Sequence, residues 1–264
     1  MEKIVIVTGD SSGIGRATAK ALMDMGCTVY GFSRRGCDLP GIRHLSVDVT
    51  SEEGVRVAVE HIADREGRID ILVNCAGFGI SGAVEFTELS AAKRQFDVNL
   101  FGTVNAVKAV LPYMREAGAG RIVNISSVAA VAHIPFQTFY SATKAAIESY
   151  TQALGNEVRP FGITVTAVQP GDICTGFTKA REKSPLGDDV YGGRISKSVA
   201  GMERSEERGM SPETVGRFIA KLCLRKRVRP VHTVGFGYQC LSLLCKLLPC
   251  GRGKTGRSEY LCKL

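Results

Sequence analysis

The segment IVIVTGDSSGIGRATAKALM, residues 4–23, decides the fold. Its first residues are apolar or β-branched, as in a strand buried on both faces, and the pattern from Ile14 onward is helical. Gly9, Gly13 and Gly15 lie between the two elements, where they allow a tight turn and let the backbone approach a phosphate group. The free N–H groups of the following helix favour an anion. The segment therefore predicts a strand, a phosphate-binding turn and a helix.

The rest of the chain repeats this alternation of short apolar strands and helices. Strands are predicted at 3–8, 28–32, 43–47, 69–73, 121–125, 163–168 and 231–234. Helices are predicted at 14–25, 51–65, 88–116, 138–158 and 211–225, with Thr50 or Ser51 capping the second. This order predicts an α/β fold with a single doubly wound parallel sheet and helices on both faces. Ligands bind such sheets at the carboxyl ends of the strands.

The pattern divides the chain into one large domain and an extension. Residues 1–235 carry the alternation, which a polar segment at 172–210 interrupts. Long structured loops in compact domains are usually functional, so we predict a substrate loop there that acts as a mobile lid. Residues 236–264 form the extension, which begins with a short apolar helix.

The net charge of +8 is concentrated at the carboxyl-terminal end. Residues 217–264 contain eleven Lys and Arg and one acid, Glu259, whereas residues 1–216 contain 23 bases and 25 acids. The sequence has neither a nucleic-acid-binding motif nor interleaved stacking aromatics, so no nucleic-acid partner is predicted. The simplest interpretation of the excess is a solvated tail.

The composition is typical of a globular chain, with 44% hydrophobic and 23% charged residues. No stretch approaches the ~20 apolar residues needed to span a bilayer, and the amino terminus lacks a signal-peptide pattern. The nine cysteines have no disulfide-framework or zinc spacing, which predicts reduced thiols, a cytoplasmic protein and no metal site.

A basic cluster follows the second predicted strand, where an NAD-binding chain would carry an acid for the ribose 2′-hydroxyl. This sequence has Ser33-Arg34-Arg35 there and no acid. A guanidinium binds phosphate through planar, charge-assisted hydrogen bonds, so the cluster predicts NADP(H). Asp10 in the glycine-rich turn argues against this, because a carboxylate would repel a 2′-phosphate. Two solvated arginines in a turn are the alternative.

Two groups with acid–base chemistry share a face of the helix predicted at 138–158. Tyr140 and Lys144 are four residues apart. A free tyrosine has a pKa of about 10, and a neighbouring ammonium favours the phenolate, so we expect Lys144 to lower the pKa of Tyr140. Ser127 follows a predicted strand at the edge where ligands bind. The alternative is an exposed helix pair without catalytic function.

Together these motifs resemble the single-domain branch of the short-chain dehydrogenase/reductase family. The motifs are the Thr8–Gly15 turn, Asn74-Cys75-Ala76-Gly77, Asn99 in DVNLFG, Ser126-Ser127, Tyr140-Ser-Ala-Thr-Lys144, and Pro170-Gly171 with Thr175. They occur in the family's order over residues 3–235. The resemblance implies a Rossmann fold, a nicotinamide cofactor and assembly as a homodimer or homotetramer.

The resemblance also implies a role for each matching residue. Tyr140 would be the general acid for reduction and the general base for oxidation. Ser127 would bind the reacting oxygen, and Ser126 would be structural. Lys144 would hold the nicotinamide ribose, and Asn99 would position a water that continues a proton relay from Lys144.

The cofactor site follows in the same way from the turn, the basic cluster and the resemblance. Asp48 is expected at the adenine, Asn74 along the adenosine ribose, and Thr175 with the Ile173 backbone at the carboxamide. The full predicted cofactor site is Gly9, Ser11, Ser12, Gly13, Ile14, Gly15, Ser33, Arg34, Arg35, Asp48, Val49, Asn74, Ala76, Gly77, Tyr140, Lys144, Pro170, Gly171, Ile173 and Thr175.

The predicted activity is NADP(H)-dependent interconversion of a ketone and a secondary alcohol by hydride transfer. Similarity to hydroxysteroid, retinol and acyl-dihydroxyacetone-phosphate reductases favours a lipophilic substrate such as a steroid or lipid. A small polyol, a sugar and an acyl thioester are alternative substrates, and a non-catalytic NADP(H)-sensing scaffold is an alternative function. Asp172 and an apolar wall are candidates for the lining; the wall would be Phe78, Ile80, His133, Ile134, Phe136 and Phe139.

The apolar helix of the extension has two interpretations that stay open. Phe236, Leu241, Leu244 and Leu248 fall near one helical face, with basic residues at 225–229 and 252–257 around them. Packing within the protein or on a partner subunit is the first expectation. Contact with an anionic membrane surface is the second, because apolar burial and charge attraction would add.

Overall fold

The structure, a computed structural model, describes residues 2–247 apart from the side chain of residue 246. The strands are β1 (Ile4–Thr8), β2 (Thr28–Ser33), β3 (Arg43–Ser46), β4 (Ile71–Asn74), β5 (Ile80–Ser81), β6 (Gly120–Ile125), β7 (Ile163–Pro170), β8 (Glu182–Lys183) and β9 (Val231–Val234). The helices are α1 (Gly13–Asp24), α2 (Glu52–Glu66), α3 (Leu89–Phe96), α4 (Gly102–Glu116), α5 (Thr138–Val158), α6 (Phe177–Ala180), α7 (Arg194–Glu207), α8 (Pro212–Leu224) and α9 (Phe236–Leu247).

Seven of the strands form one parallel sheet in the order β3-β2-β1-β4-β6-β7-β9. The chain builds outward from β1 to β3 on one side and then from β4 to β9 on the other. The direction changes between β1 and β4, and Thr8 pairs with Asn74 at the carboxyl end of that junction. This arrangement confirms the predicted doubly wound α/β fold and places the ligand crevice at the junction.

The central strands of the sheet are buried on both faces because they are mainly apolar, whereas the edge strand β3 is polar and partly exposed. Ile4 and Ile6 of β1 point into a core formed with α2, α4 and α5, while Val5 and Val7 point into a second core formed with α1 and α8. A strand sends alternate side chains to opposite faces, so a continuous apolar run serves both cores.

Two segments differ from their predictions. The helix predicted at 88–116 is interrupted by a π-helical turn, Asp97–Phe101, that joins α3 to α4. The segment 172–210 contains α6, β8 and α7, and β8 pairs with β5 in a separate two-stranded parallel sheet. The sequence analysis missed β5 and β8, because a two-residue strand is too short to show any periodicity.

The chain leaves the carboxyl end of β7 at Gly171 and returns to the face of the sheet at α8. Asp172 and Met210, at the two ends of the excursion, are joined by a 2.9 Å hydrogen bond from the Met210 N–H to the Asp172 carbonyl. We call residues 172–210 the roof. Within residues 2–247, no helix combines the length and the apolar character needed to cross a membrane.

Candidate active site

The glycine-rich turn after β1 is packed tightly against the loop after β4. Gly9 and Gly13 have φ values of 75° and 54°, which residues with a side chain rarely adopt. A Cβ on Gly15 would lie 2.2 Å from the Gly9 carbonyl oxygen, and one on Gly9 would lie 2.9 Å from the Ala76 nitrogen. The Thr8 hydroxyl accepts a 3.1 Å hydrogen bond from the Ala76 N–H. The turn therefore requires glycine at these places.

The start of α1 is suited to an anion. Ser12 is the N-cap residue, but its side chain makes no capping hydrogen bond, and the first turn contains no acid. The first N–H groups of a helix have no partner within the helix and carry partial positive charge. The side chain of Thr175 lies opposite, about 3.6 Å from where a Cβ on Gly13 would be. This cradle fits the pyrophosphate of a nicotinamide dinucleotide.

The basic cluster lies beside the loop after β3. The Ser33 hydroxyl donates a 2.7 Å hydrogen bond to the Arg35 carbonyl, and the side chains of Arg34 and Arg35 are exposed. Burial acts to raise the pKa of Asp48, but hydrogen bonds from Thr50 and the charge of Arg34 hold that pKa below its usual range. Arg34 is thus close to the residue expected at the adenine.

Asp10 does not face the basic cluster, which removes the objection raised from the sequence. Its side chain is fully buried and turns toward β2 and β3, where its Oδ2 lies 2.9 Å from His44 Nδ1. Any Cβ at position 31 would lie 2.0 Å from the same oxygen, so Gly31 makes room for the carboxylate. The arrangement leaves the outward side of the turn free of negative charge.

The loop after β4 connects the cofactor cradle to the catalytic residues. The side chain of Asn74 is buried and donates a 2.9 Å hydrogen bond to Asn124 Oδ1, which leaves the main chain to face a ribose. A Cβ on Gly77 would lie 3.0 Å from Asn99 Oδ1 and 3.8 Å from Lys144 Nζ. Gly77 is therefore the point where the two halves of the site meet.

Ser127 and Tyr140 come together at the carboxyl end of β6. Ser127 begins a 3-10 turn in which its Oγ accepts a 3.1 Å hydrogen bond from the Ala129 N–H. Burial raises the pKa of Tyr140 to about 12, against a hydrogen bond with Ser127 and the charge of Arg181, which both lower it. The neutral phenol is therefore the stable form at neutral pH, as a general acid requires.

Lys144 is buried one helical turn after Tyr140. Its Nζ donates a 2.8 Å hydrogen bond to the Ile125 carbonyl and lies 5.7 Å from the centre of the Tyr140 ring. Burial lowers the pKa of Lys144 to about 8. The expectation that Lys144 lowers the pKa of Tyr140 is not met in this structure, where burial dominates and the cation that contributes is Arg181. Ser126 anchors the same helix through a 3.0 Å bond from its hydroxyl to the Lys144 carbonyl.

Asn99 lies in the π-helical turn between α3 and α4 and is fully buried. Its Nδ2 donates to the Phe78 carbonyl at 3.0 Å and to Thr143 Oγ1 at 3.1 Å, and its Oδ1 accepts from the Phe78 N–H at 2.9 Å. The amide thus fixes the loop after β4 against α5. π-Helical turns are frequent at functional sites, because the extra residue redirects one side chain.

Four residues of the roof that were not predicted from the sequence form a cluster above Tyr140. The ring of Phe177 lies 5.8 Å from the Tyr140 ring, and the Arg181 guanidinium lies 5.5 Å from the Phe177 ring. The Arg181 side chain is 1% exposed and pairs with Glu206, which also accepts a hydrogen bond from Thr178. A local pattern could not reveal this cluster, since Glu206 lies 25 residues after Arg181 and Tyr140 lies far before Phe177.

The wall residues predicted from the sequence are only partly brought together. Phe136 contacts the roof edge-on through Tyr191, at 5.6 Å between ring centres. It has a φ of 61°, a left-handed conformation that is strained for a side chain of this size. Ile80 is buried within β5, and His133 is exposed. Phe177 of the roof thus contacts Tyr140 of α5, and Phe136, just before α5, contacts Tyr191 of the roof.

Comparison with known proteins agrees with this geometry. The sequence profile described as short chain dehydrogenase matches residues 3–185. A 3-ketodihydrosphingosine reductase from Bacteroides thetaiotaomicron is 46% identical over 227 residues, which cover 85% of this chain and 84% of that protein. Among solved structures, a short-chain dehydrogenase from Streptomyces avermitilis has a TM-score of 0.82 at 34% identity and covers 92% of this chain and 91% of its own.

A third relative carries a nucleotide. The structure of ElxO with NADP bound has a TM-score of 0.76 and 26% identity, and the match covers 91% of this chain and all of that one. The family match extends over more than half of the sequence, and the matched segment contains the glycine-rich turn, Ser127, Tyr140 and Lys144. The chain therefore belongs to the short-chain dehydrogenase/reductase family of oxidoreductases, whose members bind a nicotinamide cofactor.

Proposed function

We propose that this protein uses NADPH to reduce the carbonyl group of a long-chain, lipid-like ketone to a secondary alcohol. The observation that carries the proposal is the convergence of Ser127, Tyr140 and Lys144 beside a glycine cradle for a dinucleotide. A non-catalytic scaffold would have no need for this intact set. The bound cofactor would supply the hydride that the carbonyl carbon receives.

The protein's own residues supply binding and proton transfer. Ser127 lies close enough to Tyr140 to lower the pKa of its phenol, so a carbonyl oxygen placed between the two hydroxyls would accept from both. Tyr140 has a pKa of about 12 and gives its proton to that oxygen as negative charge develops there. Lys144, held by the Ile125 carbonyl, places a cation beside the phenol that loses its proton. Asn99 fixes the loop that lies between cofactor and catalytic residues.

The preference for NADPH rests on Arg34. Its side chain is exposed at the end of β2, and within the described residues it makes no hydrogen bond or salt bridge. No acid occupies the cluster Ser33-Arg34-Arg35, and Asp10 points away from it. An exposed guanidinium without a competing partner suits a 2′-phosphate, and the NADP-bound relative supports this choice.

The substrate class rests on the 46% identical relative. The compound in that protein's name is a ketone with a long alkyl chain. The ring of Phe177 in the roof contacts Tyr140, and the ring of Phe136 contacts Tyr191 in the roof; both would pack well against an alkyl chain. A small polar sugar would gain less from these contacts, so the lipid-like ketone is the favoured substrate.

The test is the rate at which 3-ketodihydrosphingosine is reduced with NADPH and with NADH. This rate is measured as the loss of absorbance of the reduced cofactor. We expect kcat/KM to be highest for the long-chain ketone with NADPH, and lower for a short ketone and for an aldohexose. If NADPH bound but no ketone, sugar or thioester were reduced, the scaffold alternative would replace this proposal. Faster reduction of the aldohexose would assign a sugar substrate instead.

A further inference from the structure

The two faces of α9 differ sharply in what they contact. On the inner face, Ser242 and Cys245 are buried, and the Tyr238 hydroxyl donates a 2.8 Å hydrogen bond to Asp172 Oδ2. The Tyr238 ring also lies where any Cβ on Gly171 would be, at 2.1 Å. α9 is therefore docked firmly on the loop that follows β7.

The opposite side of α9, which we call the outer face, is apolar and open to solvent. Its large members are Phe236 at 82% exposure, Leu243 at 58%, Leu244 at 52% and Leu247 at 69%. Positions separated by three, four and seven residues fall together on a helix, so these side chains and the exposed Cys240 form one stripe. Leu241 does not belong to this face, in contrast to the sequence-based grouping, and Leu248 lies outside the described residues.

The inner face of α9 packs beside the loop that follows β7, close to the candidate catalytic residues. Asp172, which Tyr238 holds, contributes to the electrostatic environment of the Tyr140 phenol. The outer face points away from these contacts, so a surface can cover it without displacing α9 from the protein.

The charges near α9 indicate the kind of partner. Residues 248–264, which follow the helix directly, carry four bases, Arg252, Lys254, Arg257 and Lys263, against one acid, Glu259. The other basic cluster, 225–229, precedes β9, whereas α9 follows it, so the two lie at opposite ends of that strand. Only the carboxyl-terminal cluster therefore supports contact through the outer face.

We propose that α9 is an interfacial helix, whose outer face inserts into the surface of an anionic lipid bilayer. Apolar side chains flanked by cations bind such surfaces because burial of apolar area and attraction to anionic headgroups add. A second copy of this chain is a poorer partner for the same face. A second copy would add the same excess of positive charge and supply no complementary anions, whereas an anionic bilayer supplies them.

The chain contains no tryptophan, which allows a direct test with the full-length protein. Phe236→Trp places a single indole on the outer face. With vesicles containing phosphatidylglycerol, we expect a blue shift of its emission and quenching by brominated lipid, both reversed by high salt. Neutral phosphatidylcholine vesicles should bind the protein less. An unchanged emission spectrum, together with background co-sedimentation, would overturn the proposal.

A matched pair of double variants separates the outer face from general hydrophobicity. Leu243→Gln with Leu247→Gln should lower the vesicle-bound fraction by about tenfold or more. The variant lacks the favourable free energy of moving two leucine side chains from water into the bilayer. Val57→Gln with Leu89→Gln, at 50% and 64% exposure on other helices, should bind like the unmodified protein. Equal binding by both double variants would mean that charge alone attaches the chain, and would reject the role of the outer face.

The subunit alternative has its own readout. If the leucine variant lowered the sedimentation coefficient in the absence of lipid and left vesicle binding unchanged, the outer face would be a contact between copies and the proposal would be wrong. Vesicle binding is measured without turnover. Failure of this proposal is thus distinguishable from failure of the proposed reductase activity.

Discussion

The cofactor cradle and the roof are held together in different ways. The cradle is built from close backbone contacts between short motifs. A Cβ at position 9 would lie 2.9 Å from the Ala76 nitrogen, so only glycine fits there. The roof is held by side chains from distant segments, among them Arg181 with Glu206 and Tyr191 with Glu85. One family can therefore keep the cradle constant while the roof changes with the substrate.

The largest effect is expected from removing the hydroxyl oxygen of Tyr140, which should stop catalysis and leave both the cradle and the roof intact. Tyr140→Phe keeps the ring that packs on Phe177 but removes the proton donor, so we expect kcat to fall by about 10²–10⁴-fold. The dissociation constant for NADPH and the melting temperature should stay nearly unchanged. Steady-state kinetics with the best ketone, together with cofactor titration, measures both. A variant that retained near-normal turnover would remove Tyr140 from the mechanism.

The second largest effect is expected from Arg181→Leu, which should disrupt the roof and leave the cradle unchanged. Arg181→Leu leaves Glu206 without its cation in a nearly buried position, and breaking such a pair costs about 3–5 kcal/mol. We expect KM for the ketone to rise strongly, while NADPH binds with an affinity within about threefold of normal. Arg181 also lowers the pKa of Tyr140, so the variant should have a less acidic phenol.

Hydrogen exchange shows whether the roof is the mobile lid expected from the sequence. In the unmodified protein, residues 172–210 should exchange faster than β1 and become protected when cofactor and substrate bind. Arg181→Leu should abolish that protection. The control is Arg94→Leu, whose pair with Glu182 is half exposed and worth about 0–1 kcal/mol. Strong protection of the roof in the free protein would contradict the lid.

The same comparison explains what the sequence could predict. Seven sheet strands and the helices α1, α2, α5 and α8 were predictable, because apolar periodicity is local. The glycine cradle was predictable for a similar reason, as its spacing lies within eight residues. The roof was not, because β5 and β8 are two residues long and pair across a separation of about 100 residues.

Side-chain direction was the second limit of prediction. Position alone suggested that Asp10 would oppose a 2′-phosphate, but the space above Gly31 lets it turn inward toward His44. The pKa of Tyr140 was misjudged because the spacing to Lys144 says nothing about burial, which dominates in the folded protein. Such facts depend on tertiary contacts that no local pattern records.

Cofactor choice is the sharpest test of the cradle. Arg34→Ala should weaken NADPH binding by about 10–100-fold, the range expected when a charge-assisted hydrogen bond worth 1.5–3 kcal/mol is lost. Binding of NADH should change little, since it lacks the 2′-phosphate. Arg115→Ala, at an exposed position in the last turn of α4, is the control for the loss of one positive charge outside the cofactor site. Equal affinity of the unmodified protein for both cofactors would refute the assignment.

The smallest effect is a pH dependence that arises where the cradle meets the catalytic helix. Burial lowers the pKa of Lys144 to about 8 and raises the pKa of Tyr140 to about 12. Below pH 8 both groups are protonated, so the rate of ketone reduction should be flat. Above it Lys144 loses its charge while Tyr140 keeps its proton, and kcat/KM should fall by up to about tenfold per pH unit. Profiles from pH 6 to 10, with NADPH affinity measured in parallel, would show this. A reduction rate that stayed flat to pH 10 would mean that the charge of Lys144 is not needed for proton transfer.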